Sequence, residues 1–595
     1  MALHLLYTLV LAVIVWWMAK LWSQYKVVMN QPGIRNSLIS ALIDSSSALA
    51  FGSFYLWYNK RGWYASGWDI SLATSLYPRV QRTWIVSDPA LFKKITSSRA
   101  EFPKPTEQYV ALRVFGRNIL TEEGEEWKKY KRICAPAFSE PNNRLVWDYV
   151  IRIMTDFFEE VWLSHQTELD TEIIIEDFKI PCTQFALRII VAAAFGQLLS
   201  WKSVDTSYVS FSSLNKSDSS LGAHTGPDAS KSKLTIEQIF EIISEGFVLK
   251  LILPDWLFRN AESSLWPFGE KFRRQVINVR EAYNDLQVYM KDIITTRQTG
   301  LSASGNSLVQ TDSEKKADLF TNLLEANEND LGQPLADGSV WDSNVGEYVH
   351  VQRTADELRT IEAESSVQEA KLNTAELMGN IFIFLLAGHE TTAHTIGYAL
   401  TLLALYQDEQ EKLFLHIMSV IPDGQLPRYE DLPLLTRSMA VMQEALRLFP
   451  PVIMIPKMSA QDTTFIVENR ETDKESRLTV EKGDQIVLHS VGVHYNPHFW
   501  NDPSKFNPDR FMPESDWPRD AFVPFSAGAR SCMGRRFAEV EGVAIITMLI
   551  LKYQVKVKEE EQFKNETFEQ RKERVLKLKH GLTLTFADTT PFGLY

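Results

Sequence analysis

The run Pro524-Phe525-Ser526-Ala527-Gly528-Ala529-Arg530-Ser531-Cys532-Met533-Gly534 constrains this chain more than any other segment. Gly528 permits a backbone turn that a side chain would obstruct. From Met533 onward, Gly534-Arg535-Arg536-Phe537-Ala538-Glu539-Val540-Glu541 reads as a helix. Cys532 then lies at a helix N-terminus, among amides and arginines that favour thiolate over thiol. A lone cysteine is ordinarily an inert, buried hydrophobe. These neighbours argue otherwise. A thiolate held at a glycine-lined surface suits a flat macrocycle: glycines let the ring approach, Phe525 shields the sulfur and Arg530 can pair with a propionate.

Composition removes several other classes. The only cysteines are Cys134, Cys182 and Cys532. An odd, sparse set excludes a disulfide scaffold, favours a reducing, cytosol-facing setting and offers no zinc spacing. The net charge is −13, and no block of Lys or Arg is long enough to follow a phosphate backbone. A nucleic-acid partner is therefore not expected. With 595 residues, 45% of them hydrophobic, the chain can bury a large core, and one large catalytic domain with appendages fits the length.

No internal repeat is visible. Helix-like periodicities run over Ile236 to Leu253, Lys271 to Arg297, Asn373 to Tyr406, Glu409 to Ile421 and Thr436 to Leu448. Strand-like signals are short: Thr83 to Val86, Thr464 to Val467, Gln485 to Leu488 and Leu582 to Phe586. The expected fold class is mainly α with small β-sheets, an α+β arrangement. Ser203 to Ser232 holds ten serines in thirty residues and reads as a surface insertion. Gly300 to Asp342, rich in Ser, Asn, Asp and Gly, reads as a linker with an apolar patch around Leu319 to Leu324.

Ala2 to Ala19 carries no formal charge and is broken only by His4 and Thr8. As a helix it would span about 27 Å, close to the bilayer core. Trp16, Trp17 and Trp22 sit near its end, and Lys20 and Lys26 follow. That asymmetry predicts a retained signal anchor with the remainder in the cytosol. Residues 1–22 are read as the anchor, 23–75 as a linker and 76–595 as the catalytic domain, with polar insertions near 203–233 and 300–342. Leu38 to Trp57 is apolar but contains Asp44 and Ser45-Ser46-Ser47. It suits a segment lying on a membrane, or packed on the domain, better than a second span.

Phe525, Gly528, Arg530, Cys532 and Gly534 occupy every fixed position of F-x-x-G-x-R-x-C-x-G. That is the haem-binding signature of the cytochrome P-450 family, which this chain resembles from roughly Arg79 to Phe586. Glu444-Ala445-Leu446-Arg447 resembles the family's E-x-x-R helix, and Phe506-Asn507-Pro508-Asp509-Arg510-Phe511 its F-x-P-x-R-F segment. By resemblance Glu444, Arg447 and Arg510 form a buried, structural cluster that holds the haem loop. Ala387-Gly388-His389-Glu390-Thr391-Thr392 resembles the A/G-G-x-D/E-T-T segment of a bent helix over the porphyrin. The resemblance makes Glu390 and Thr391 the catalytic pair. His389 and His394, five apart, point to different helix faces and do not make a metal pair. Trp127-Lys128-Lys129-Tyr130-Lys131-Arg132 resembles the W-x-x-x-R helix that contacts haem propionates. Lys131 holds the usual Arg position and Arg132 follows it, so which cation reaches a propionate stays open. Lys457 stands where relatives often carry Arg.

The resemblance implies the cytochrome P-450 fold, a single large domain behind the anchor. It also implies a haem b (iron protoporphyrin IX) cofactor with Cys532 as axial ligand to the iron. Thiolate ligation promotes O–O cleavage. The expected activity is a haem-thiolate monooxygenase of fungal microsomal type, in the endoplasmic reticulum membrane, acting in secondary metabolism. NADPH enters only through a separate NADPH-cytochrome reductase, with cytochrome b5 as a further donor, since no flavin or nicotinamide motif is found. Lys128, Lys129, Arg535 and Arg536 offer a basic patch for that partner. Apolar residues at Val110 to Phe115, Phe247 to Leu253, Phe384 and Val452 to Ile455 suggest a terpenoid, polyketide or fatty-acid-like substrate. The alternative is a haem-thiolate isomerase or dehydratase that does not activate dioxygen; Glu390-Thr391 argues against it. A non-enzymatic haem binder or gas sensor is a third class, without a regulatory domain in view.

Overall fold

The computed structural model describes residues 81–162, 172–199, 234–304 apart from 264, 265 and 267, 319–327, and 371–580 apart from 423. It also describes shorter stretches at 7–8, 11–19, 22–23, 57, 60, 67–75, 201, 209–211, 339–342, 347–350, 584–586 and 592–594. By internal contacts the chain divides into two compact units. The smaller gathers Met1–Gln108, Glu444–Arg510 and Glu514–Cys532, and the larger holds Tyr109–Gln443, Phe511–Pro513 and Met533–Tyr595.

The smaller unit is built on a four-stranded sheet. Strands β1 (Ile70–Ser75) and β2 (Gln81–Val86) are antiparallel. The others are β3 (Met454–Met458) and β6 (Gln485–His489), in the order β1-β2-β6-β3. A separate hairpin pairs β4 (Thr463–Asn469) with β5 (Lys474–Val480). It buries Phe465, Val467, Leu478 and Val480 at alternate positions, as a half-buried ribbon requires. Asp484 ties the sheet internally: Arg82 donates to both its oxygens at 2.8 Å, and the Trp84 indole donates at 2.9 Å. Helix α1 (Pro89–Ser97) starts at an Asp88 cap that accepts from the Leu91 amide at 2.7 Å, with Pro89 at the first turn.

The larger unit is helical. Its helices include α2 (Gly124–Cys134), α3 (Glu140–Phe157), α4 (Lys179–Phe195), α5 (Ile236–Ile252) and α6 (Glu270–Ser304). They continue with α7 (Thr374–Leu405), α8 (Gln407–Val420) and α10 (Arg535–Lys552). Helix α9 (Thr436–Leu448) passes from this unit into the other at Gln443–Glu444. Helix α7 is the axis. A capping box fixes its start, the Asn373 side chain accepting from the Glu376 amide at 2.8 Å and Glu376 accepting from the Asn373 amide at 2.9 Å. Helices α4 and α10 pack along it.

The predicted helices are found with boundaries close to those expected, α5 and α9 most closely. Helix α10 begins at Arg535, after Gly534, rather than at Met533. Within the serine-rich stretch, Val209–Phe211 is a strand, and most of the remainder lies outside the described residues. The linker contains the end of α6, a helix at Leu319–Glu325 and a strand at Ser339–Asp342. Of the predicted anchor, residues 7–8, 11–19 and 22 are described, as exposed helix. Among the described residues no helix is long and apolar enough to cross a membrane. Leu38 to Trp57 lies outside them except for Trp57, which is buried with its ring 5.6 Å from Phe449.

Candidate functional site

The cysteine loop belongs to the smaller unit, and the reason Gly528 is glycine is geometric. Its φ is +71°, and a Cβ there would lie 2.5 Å from the Thr96 carbonyl oxygen at the end of α1. The loop therefore rests directly on α1 and turns there. Cys532 closes the turn, its amide donating to the Phe525 carbonyl at 2.9 Å. Cys532 is exposed, whereas Cys134 and Cys182 are buried. Burial pushes the Cys134 thiol up to about 12 and the Cys182 thiol higher still. Neither can supply a thiolate near neutral pH.

Behind the loop the structure brings Glu444, Arg447 and Arg510 together. Glu444 and Arg447 are fully buried, and the guanidinium donates to both carboxylate oxygens at 2.7 and 2.8 Å. Arg447 Nη1 also donates to the carbonyls of His494 and Pro503, at 2.9 and 2.8 Å. Nη2 reaches the Lys505 carbonyl at 3.3 Å. Glu444 accepts the Asn507 amide at 2.9 Å, and Arg510 Nε stands 3.4 Å from the same oxygen. A buried ion pair is tolerated on such terms, with its remaining donors and lone pairs satisfied.

The larger unit holds the other candidates. From Glu376 to Leu405, every residue of α7 is buried except Phe384, Ala387, Gly388 and Thr391. That spacing of three, four and seven is one helix face. A stripe with its small residues at the centre is a surface that a flat ring can approach. Thr391 donates to the Ala387 carbonyl at 2.7 Å and Thr395 to the Thr391 carbonyl at 2.8 Å, back-bonds of the kind that bend helices. Glu390 is turned inward and buried. His389 is buried with its ring 4.7 Å from Phe240, its Nδ1 2.7 Å from the Leu385 carbonyl. Burial lowers its pKa to about 4 and that of His394 to about 3. Among the described residues no cluster of His, Cys, Asp or Glu could hold a metal ion.

On α2, Trp127 is buried, Lys131 lies 5.1 Å over its ring, and Arg132 is exposed on another side. The cations expected as a basic patch have acidic partners. Lys128 pairs with Glu125, and Lys129 with Glu376 at 2.8 Å. Arg535 pairs with Glu539 at 2.9 Å, and Arg536 stands 3.9 Å from Glu140 and Glu539. Glu125, Glu140 and Glu376 sit in the positive first turns of α2, α3 and α7, and with Glu539 they make the patch one of mixed charge. His494 carried no sequence signal: it bonds both the arginine cluster and the cysteine loop through contacts set by burial.

Residues 349–586 match the family model for cytochrome P450. The chain is 40% identical over 517 residues to cytochrome P-450 monooxygenase 124 of Postia placenta, an alignment covering 87% of this chain and 83% of that protein. It is 23% identical to cytochrome P-450 monooxygenase prx9 of Penicillium rubens, over 84% and 78%. With cytochrome P-450 4X1 of Mus musculus it shares 25% identity over 80% and 76%. On these similarities the chain belongs to the cytochrome P-450 family and is an oxidoreductase of its monooxygenase type.

Proposed function

We propose that this protein is a haem-thiolate monooxygenase that inserts one atom of dioxygen into an apolar small molecule, with electrons from NADPH through a separate reductase. The observation that carries the reading is the display of Cys532: the exposed cysteine of three, on a loop turned by Gly528. A thiolate there is the iron ligand. By the family resemblance Cys532 and Arg530 would hold haem b, with Phe525, Gly528 and Gly534 on the same motif, and Trp127 with Lys131 or Arg132 would serve its propionates. When bound, the haem supplies the oxidative chemistry. The chain's own tasks are to hold that ligand, exclude bulk water and move protons. Thr391, on the open face of α7, offers a hydroxyl at the oxygen side. The adjacent Glu390, about 100° around the helix and buried, offers a carboxyl as proton donor behind it. Glu444, Arg447 and Arg510 hold the loop and take no part in chemistry.

The substrate class is the terpenoid, polyketide or fatty-acid-like range. Apolar Phe384 on the stripe supports it, and secondary metabolism is the setting on this reading. The N-terminal apolar run supports a single-pass anchor over 1–22 in the endoplasmic reticulum membrane, a linker over 23–75 and a cytosolic catalytic region over 76–595. Cytochrome b5 is a second electron donor on this reading. In the haem-loaded full chain, Cys532→Ala abolishes the red-shifted Soret band of the reduced carbon monoxide complex, while Cys134→Ala and Cys182→Ala retain it. A Cys532→Ala protein with that band unchanged overturns the proposal.

A further inference from the structure

Between the arginine cluster and the cysteine loop stands one imidazole. His494 ends the short helix Ser490–His494, fully buried. Its Nδ1 lies 3.1 Å from the Arg447 carbonyl, and its Nε2 accepts the Val523 amide at 2.9 Å. The ring stacks on Phe522 with centroids 5.7 Å apart and planes 24° from parallel. Its own carbonyl accepts from Arg447 at 2.9 Å. Val523 is in turn the start of the cysteine turn: its carbonyl accepts the Ser526 amide at 3.0 Å, and Cys532 closes back on Phe525 at 2.9 Å. Ser526, at φ 60°, is one of the few non-glycine residues with positive φ. This bond to the loop backbone is therefore spent where the chain must hold an unfavourable conformation.

We infer that His494 is a positioning residue for the thiolate ligand, fixing the first turn of the Val523–Cys532 loop to the Glu444–Arg447 frame. The inference rests on Cys532 being that ligand. The two hydrogen bonds need one tautomer, with Nδ1 donating to Arg447 and Nε2 bare to accept from Val523. Burial supports this by lowering the imidazole's pKa to about 3. The ring stays neutral, and its acceptor remains available at physiological pH. Without it the Val523 amide has lost its acceptor, and the loop gains freedom at the residues leading to the sulfur.

Three variants of the haem-loaded full chain test this. His494→Asn keeps a short donor for the Arg447 carbonyl but cannot reach Val523, His494→Gln can present an acceptor to Val523, and His494→Leu removes both bonds. The readout is the ratio of the red-shifted thiolate Soret band to the shorter-wavelength thiol band in the reduced carbon monoxide complex, with the melting temperature measured alongside. The ratio falls about fivefold in His494→Asn, as the loss of one ordinary hydrogen bond predicts, and stays within about twofold of wild type in His494→Gln. His494→Leu falls furthest; if it fails to load haem, the Asn–Gln pair alone decides. Equal ratios in wild type and His494→Asn overturn the inference, as does a fall in His494→Gln as large as that in His494→Asn. A wild-type protein that lacks the thiolate band, or keeps it in Cys532→Ala, instead sinks the monooxygenase reading itself.

Discussion

Arg447 and Glu541 are both fully buried ionisable groups, yet their surroundings follow opposite rules. Around Arg447 the donors meet a carboxylate and three backbone carbonyls. Glu541 lies on α10, a helix packed along α7, and neither of its oxygens makes a hydrogen bond of ordinary geometry. Burial raises its pKa well above the ordinary value, opposed only by the neighbouring Thr392 hydroxyl. The first region is a frame in which charge is locked by complete pairing. The second keeps a buried carboxyl, with no cation paired to it among the described residues, beside the segment that carries Glu390 and Thr391. A frame stabilises through its polar groups. At the helix contact the polar group costs stability.

The largest expected effect breaks the frame. Glu444→Ala leaves the Arg447 guanidinium buried without its carboxylate and removes the acceptor for the Asn507 amide. The cost is about 3–5 kcal/mol, read as a large fall in melting temperature and in haem retention by the purified protein. A variant within 1 °C of wild type would mean that the carbonyls around Arg447 suffice, and the contrast with Glu541 would collapse.

Glu541→Gln goes the other way and carries a pH signature. A carboxyl with a folded pKa above its unfolded value contributes stability below the unfolded pKa, near 4.5. It loses that contribution as pH rises toward the folded pKa. Gln has no such dependence. The two proteins should therefore melt alike near pH 4.5, and the Gln variant should gain an advantage above it, by up to about 1.4 kcal/mol for each pH unit. Parallel melting curves from pH 4.5 to 8 would show that Glu541 is charged and paired after all.

Much of this was legible in the chain. Helix α7 was legible as a long helix-like run from Asn373 to Tyr406, and the cysteine loop because glycine, arginine and cysteine sit at fixed spacings. The open face of α7 was not. The helix is apolar nearly all round, and periodicity marks a face only where polar residues contrast with it. The strand Met454–Met458 is short and pairs with Gln485–His489, well separated along the chain, so its signal lies in its partner rather than in itself. His494 was silent for the same reason: its role is set by Val523 and Arg447, 29 and 47 residues away.

The smallest effect on stability is expected at Thr391, and there the functional contrast is sharpest. Its hydroxyl is bonded back to the Ala387 carbonyl at 2.7 Å on the open face of α7. Replacing it with Ala removes a bond that helices do not need and inserts the best helix former. The change in stability should stay within about 0.5 kcal/mol. Frame residues behave otherwise, since their loss shows in the melt. If the proposed proton relay operates, Thr391→Ala retains its haem and its carbon monoxide spectrum and still oxidises NADPH through the reductase. The electrons emerge largely as hydrogen peroxide rather than as product. The measurement is peroxide released per NADPH consumed, with whichever apolar compound from a terpenoid and fatty-acid panel gives wild type its fastest NADPH oxidation. A ratio equal to wild type would make Thr391 a helix-bending residue only, and would return weight to chemistry that does not activate dioxygen.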